Sequence, residues 1–89
     1  MEIRFRERFS KDIDDIHNQT VLDDIAKSIQ IIEKAKTISD IANKKKMTNS
    51  KNAYRIRIGR YRIGFYLVDG IIELTRVLPR DKIYNYFPE

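Results

Sequence analysis

Between Tyr54 and Ile63 the chain alternates apolar and basic residues so regularly that only an extended, paired backbone accommodates it. Tyr54, Ile56 and Ile58 interleave with Arg55 and Arg57, and beyond Gly59 the residues Tyr61 and Ile63 interleave with Arg60 and Arg62. Successive side chains of a strand point to opposite faces, so one set enters a core and the other is displayed on rigid backbone. The segment reads as a hairpin around Gly59, with strands over 53–58 and 60–68. Asp69-Gly70 marks a second hairpin turn, leading into a strand over 71–78. The basic character extends further, with eight Lys/Arg and no Asp/Glu from Lys44 to Arg62. Four of those charges are arginines held in the hairpin, spaced to meet a polyanion.

The rest of the chain supplies helices to cover that sheet. Residues 2–6 read as a first strand, with Ile3 and Phe5 on one side and charged residues on the other. Ser10 is placed to cap a helix of about two turns, because acidic residues follow it and Phe9, Ile13 and Ile16 recur at helical spacing. Thr20, with Asp23 three residues on, predicts the start of a second helix, along which Leu22, Ile25, Ile29 and Ile32 form an apolar stripe. Residues 37–42 read as loose turns and 44–52 as a polar, basic, mobile connection. Pro79 ends the last strand, and 80–86 forms a final helical turn. The order β-α-α-β-β-β plus a short C-terminal turn predicts an α+β domain. Its two N-terminal helices pack on one face of a small, mostly antiparallel sheet, and the other face stays open.

Size and composition narrow the function classes. Eighty-nine residues, 42% of them hydrophobic, are expected to form one ordered domain over 1–89. The sequence has no cysteine, so disulfides and thiolate metal sites are excluded. There is no apolar run of the roughly 20 residues that a membrane span requires, and the N-terminal M-E-I-R-F-R-E lacks a signal-peptide core. A cytoplasmic protein with no membrane partner is the expectation. The net charge of +5 hides a division: residues 1–43 carry seven basic against nine acidic side chains, and 44–89 carry eleven against four. Such a lopsided field suits nucleic acid, and equally an acidic protein surface.

No Gly-rich phosphate loop, Ser or Cys nucleophile elbow or metal-spaced His/Cys/Asp cluster is present. His17 reads as an exposed surface residue, and Asp12, Asp14 and Asp15 as a solvated, helix-capping acidic face. The chemistry therefore falls to arginine, lysine and tyrosine. Guanidinium groups grip phosphate bidentately and stay charged at physiological pH, while aromatic rings stack on unpaired bases. Tyr84 lies four residues after Arg80, so a helical C-terminus presents both on one side. Tyr84, Tyr86 and Phe87 could alternatively cover the edge of the core.

The block Y-R-I-R-I-G-R-Y-R-I-G-F-Y, followed by a strand and L-P-R-D-K-I-Y, resembles the RelE/ParE superfamily of type II toxins, and its RelE-like branch in particular. The element order agrees along essentially the whole chain. The resemblance implies a ribosome-dependent endoribonuclease that cuts A-site mRNA without a metal or cofactor and is held inactive by a cognate antitoxin. It implies Arg62, Arg80 and Tyr84 as catalytic residues, with Arg55, Arg57, Arg60, Lys51 and Lys82 binding RNA. Arg55 and Arg57 stand where relatives often carry lysine, and Pro79 where they often carry histidine. Arginine does not act as a general base near neutral pH, so that task would pass to Lys51, Lys82 or Tyr84, or to positioning by the ribosome. A ParE-like gyrase inhibitor and a catalytically weakened RNA-binding relative are the alternatives.

Overall fold

The structure, a computed structural model, describes residues 1–88. Its elements are β1 (Glu2–Phe5), α1 (Glu7–Asp14), α2 (Gln19–Lys34), a 3-10 turn at Ile38–Asp40, β2 (Lys44–Lys46), β3 (Ala53–Ile58), β4 (Tyr61–Val68), β5 (Ile71–Pro79) and α3 (Arg80–Tyr86). The strands form one sheet in the order β1-β5-β4-β3-β2. The β1–β5 pair is parallel and the others antiparallel. The expected α+β architecture is present, with one more strand than the sequence indicated.

That extra strand is β2. Lys44, Lys45 and Lys46 pair with Ile56, Arg55 and Tyr54, and the Met47 N–H donates to the Ala53 carbonyl at 2.8 Å. The reading of 44–52 as a connection therefore fails over its first three residues. Three consecutive lysines show no alternation, but they suit an exposed edge, where charge discourages pairing with another chain.

Both hairpins follow the turn chemistry. Gly59 (φ 55°) opens the β3–β4 turn, and Asp69 (φ 52°) and Gly70 (φ 78°) both take the positive φ that a two-residue β4–β5 turn demands. Register slips once, between Gly64/Phe65 and Leu74/Arg76, leaving Thr75 as the extra residue of a bulge. The extra residue resets the alternation, so Leu74 and Val77 both enter the core and Arg76 lies opposite Gly64.

The main core lies between α1, α2 and one sheet face. Phe9, Ile25 and Ile32 pack there on Ile56, Ile63, Phe65, Ile72 and Leu74. Helix starts differ from expectation. The Arg6 N–H remains in the sheet ladder, donating to the Leu74 carbonyl at 2.9 Å, and the helix begins immediately after it. Ser10 is consequently inside α1 rather than its cap. Asn18, not Thr20, caps α2, its side chain accepting from the Val21 N–H at 3.2 Å.

Two further corrections shape the site. Asp12 is not solvated. Its carboxylate accepts from Arg76 Nε (2.8 Å) and Nη2 (3.0 Å) and from the Val77 N–H (3.0 Å), with both side chains 8% exposed. β1 pairs with β5 only as far as Leu74, and Asp12 satisfies a backbone donor beyond that point. Asp14 and Asp15 are exposed as expected.

Nor is the second sheet face wholly open. Ile83 and Phe87 bury themselves on it against Ala53, with Tyr66 and Leu78 alongside. Gly64 permits this, since a Cβ there would stand 2.5 Å from Phe87 Cδ2. α3 thus roofs one part of the face and leaves the arginine-bearing part uncovered.

Candidate functional site: a cationic cleft between sheet and C-terminal helix

Alternation places Arg55 and Arg57 of β3 and Arg62 of β4 on the same face as α3. Arg57 and Arg62 are direct cross-strand partners, and Lys45 of β2 is the partner of Arg55. Like charges directly opposite one another weaken a sheet. Two such pairs side by side therefore work against the sheet, a local conflict of the kind expected at a functional surface.

These side chains enclose a cleft of about 270 Å³ lined by Asn43, Lys44, Lys45, Arg55, Arg57 and Arg62. A smaller groove of about 120 Å³ adjoins it, lined by Lys45, Lys46, Met47, Thr48, Arg55 and Tyr84. Lys45 and Arg55 are common to both. The first cleft is walled by cations, whereas the second carries a half-exposed aromatic ring and a thioether.

Individual contacts hold the parts in place. Arg62 Nη1 donates to the carbonyls of Gly59 and Tyr61, each at 2.9 Å, which keeps its guanidinium at the hairpin end. Partial burial, then the charges of Arg80, Arg55 and Arg57, push its pKa below the usual guanidinium value. Each of those three arginines thus lies close enough for its charge to act on Arg62. The Arg80 N–H donates to the Arg60 carbonyl at 2.8 Å and ties the start of α3 to the same turn. A cation in the first turn of a helix opposes the helix dipole, a second local cost with no structural return.

Arg55 Cζ lies 4.9 Å from the centroid of the Tyr84 ring, a cation–π contact joining strand to helix. Arg55 Nη1 is buried and has no hydrogen-bond partner among the described residues. An unsatisfied buried donor costs about 1–3 kcal/mol, and an anionic oxygen in the cleft would relieve it.

Arg55, Arg57, Arg62, Arg80 and Tyr84 are therefore brought together. The other three candidates are not. Arg60 sits exposed at the turn and contributes its backbone, and Lys51 lines neither cleft. Lys82 faces a separate groove with Asp12, Asp15 and Tyr61. Asn43, Lys44, Lys45, Lys46, Met47 and Thr48 were missed as site residues. Only the basic run hinted at the lysines, and the pairing of β2 with β3 was needed to aim them. His17 is exposed. Among the described residues no three His, Cys, Asp or Glu gather as a metal site would require, and no helix is long and apolar enough to cross a membrane.

Comparison with known proteins agrees with this construction. Residues 3–84 match the family described as ParE toxin of type II toxin-antitoxin system, parDE. Toxin RelE3 of Methanocaldococcus jannaschii is 34% identical over 93 residues, covering 99% of this chain and all of the relative. The crystal structure of a RelB-RelE antitoxin-toxin complex from Methanococcus jannaschii contains a chain similar to this one, with a TM-score of 0.78 and 33% identity over 94% of this chain and 98% of that one. YafQ from E. coli shares the fold at a TM-score of 0.74 and 13% identity, over 93% of this chain and 97% of its own. Matched by the family over residues 3–84 and by a relative along nearly its full length, the chain belongs to the RelE/ParE superfamily of type II toxins.

Proposed function

We propose that this toxin is a ribosome-dependent endoribonuclease that cleaves mRNA in the A site and is restrained by a cognate antitoxin. The observation that carries the reading is the juxtaposition of a cation-walled cleft, roomy enough for a phosphate, with a groove bearing Tyr84. The two share Arg55, as a phosphate and its attached nucleoside require. The partnership with an antitoxin rests on the relatives solved as RelB-RelE complexes.

In the proposed reaction a ribose 2′-OH attacks the adjacent phosphorus and the bond to the 5′ oxygen breaks. The products are a 2′,3′-cyclic phosphate and a 5′-OH. Arg55, Arg57 and Lys45 position the phosphate. Arg62 and Arg80 stabilise charge gathering on the phosphorane and the leaving oxygen, in a partly enclosed site where such charge stabilisation is strongest. Tyr84 stacks on or orients the base. Lys51 and Lys82 stand apart from the cleft, which leaves Tyr84 or the cleft lysines to handle the proton, with ribosomal positioning supplying much of the rate.

The test is translation arrest in a cell-free extract with cleaved mRNA 3′ ends mapped on ribosomes. Cuts within A-site codons, abolished by Arg62→Ala and by Arg80→Ala, are expected. Full toxicity in both variants would reject the residue roles. Loss of DNA supercoiling without mRNA cuts would instead establish a ParE-like gyrase inhibitor, the reading that the description of the matched family keeps in view.

A further inference from the structure

α3 has a problem of orientation. It is seven residues long, and its buried anchors, Ile83 within it and Phe87 at its C-cap, are four residues apart and joined by the Phe87 N–H donating to the Ile83 carbonyl at 2.9 Å. Residues at that spacing lie along one line of a helix. A single line of apolar contact fixes how far the helix sits from the sheet but resists roll about its axis only weakly. Yet roll decides where Tyr84 points.

Two further contacts oppose that roll, one on each flank. Tyr84 and Tyr86 are two residues apart, so they project about 200° around the axis from one another. Each ring is half exposed and each meets an arginine of the sheet. Arg55 of β3 lies 4.9 Å from the Tyr84 centroid, and Arg76 of β5 lies 5.1 Å from that of Tyr86. The two arginines are held differently. Arg55 faces the ligand cleft. Arg76 is almost wholly buried, and Asp12 fixes the plane of its guanidinium through two hydrogen bonds of 2.8 and 3.0 Å.

We infer that Arg76, clamped by Asp12, is a positioning residue: it holds the Tyr86 ring, sets the roll of α3, and so determines where Tyr84 stands over the cleft. In the catalytic part of this inference, which rests on the endoribonuclease reading above, Asp12 of α1 acts on a site it does not touch. The sequence of contacts is Asp12 to Arg76, Arg76 to Tyr86, and Tyr86 through α3 to Tyr84. The first two links are side-chain contacts present in the fold, and the last is the helix backbone itself.

Tyr86→Leu removes the ring while keeping an apolar side chain, and Tyr86→Phe keeps the ring without the hydroxyl. Both leave the hydrogen bonds of the buried Asp12–Arg76 pair in place and change a side chain that is half exposed, so both are expected to fold. The first readout needs no catalysis. The Tyr84 ring shifts the side-chain proton resonances of Arg55, and these are followed by NMR together with backbone amides of β1, β4 and β5. Tyr86→Leu should move the Arg55 resonances toward random-coil values while the strand amides stay in place, and Tyr86→Phe should restore them.

The second readout is ribosome-dependent cleavage, expected to fall roughly tenfold to a hundredfold in Tyr86→Leu, the scale of an angstrom-sized misplacement, mainly in kcat, and to recover in Tyr86→Phe. Unchanged Arg55 resonances in Tyr86→Leu overturn the inference, as does full cleavage despite their movement. If the parent protein cleaves nothing, the endoribonuclease reading fails and the Arg55 signal alone decides whether Tyr86 sets the roll of α3.

Discussion

Gly64→Ala is the smallest change that separates the cationic sheet from its roofing helix. A methyl at this strand position would stand 2.5, 2.6 and 2.8 Å from Phe87 Cδ2, Cγ and Cε2, all inside contact distance. The Phe87 ring has little room to retreat. It is 1% exposed, packs with Ala53 and Ile83, and tilts against Tyr66 at 5.1 Å between centroids. In an unobstructed strand, alanine for glycine should stabilise by about 0.5–1 kcal/mol, because the unfolded chain loses freedom. Overpacking a filled site costs about 1–3 kcal/mol, and expelling a buried phenylalanine about 3–5 kcal/mol. The sign of the change therefore reports on the contact. A net loss of about 1–2 kcal/mol is expected if the ring shifts, and about 3–4 kcal/mol if it leaves. For a domain of this size each kcal/mol lowers Tm by about 4–8 °C. Urea and thermal unfolding followed by circular dichroism measure it. In a Phe87→Leu background the cost should shrink by at least about 0.5 kcal/mol, since residues in contact couple. Cleavage should fall although no charged residue has changed. A Gly64→Ala protein as stable as the parent, or more so, refutes the packing of Phe87 on this strand.

Asp12→Ala strands a buried guanidinium and the Val77 N–H together, so a loss of about 3–5 kcal/mol is expected by urea unfolding. The double variant Asp12→Ala/Arg76→Leu should lose less, and equal losses would mean that the pair is not truly desolvated. Arg57→Gln removes one member of a like-charged cross-strand pair while leaving the hydrogen bonds of Arg62 in place, and should raise stability at low salt by about 0.2–1 kcal/mol while weakening cleavage; a clear loss of stability would contradict the repulsion. Binding of a short single-stranded RNA should weaken with salt by a logarithmic slope of about −0.7 per phosphate contacted. Arg57→Ala should reduce that slope by about one contact and Lys82→Ala should leave it unchanged, whereas an equal effect of both would remove the distinction between the two grooves.

What could be read from the residues was whatever a local period encodes. Alternation through Tyr54–Ile63 exposed the hairpin and put Arg55, Arg57 and Arg62 on one face, and the four-residue spacing of Arg80 and Tyr84 put both on one side of α3. Nothing local encodes a partnership across long separations. Asp12 and Arg76 are 64 residues apart, and Asp12 sits in an acidic run that resembles an ordinary solvated helix face. β2 hid for the opposite reason: Lys44, Lys45 and Lys46 are alike, so no period exists to detect. The bulge at Thr75 hid because an extra residue breaks the alternation that would announce a strand. Helix starts moved because tertiary constraints outranked capping residues. The sheet bond of Arg6 fixed where α1 begins, leaving Ser10 inside the helix.

These features explain one another energetically. The cationic face works against the sheet that carries it: Lys45 opposes Arg55, Arg57 opposes Arg62, and Arg80 starts a helix that would favour an acid there. Each is a cost of a few tenths to about 1 kcal/mol, set against a total stability of only about 5–15 kcal/mol for a small domain. The compensation lies outside the cleft. Phe87 and Ile83 bury α3 on the sheet, and Asp12 locks α1 to the strand that bears Arg76. Because those anchors belong to the elements that frame the site, the groups that offset its repulsion also define its shape. An anion that bridged the guanidiniums would lift the repulsion and satisfy the orphaned donor of Arg55. The folded state should therefore be stabilised by polyanions in proportion to their phosphate spacing. Inorganic phosphate and a trinucleotide at equal charge concentration should raise Tm unequally, the trinucleotide more. Equal shifts would mean that the face attracts charge without clasping a chain.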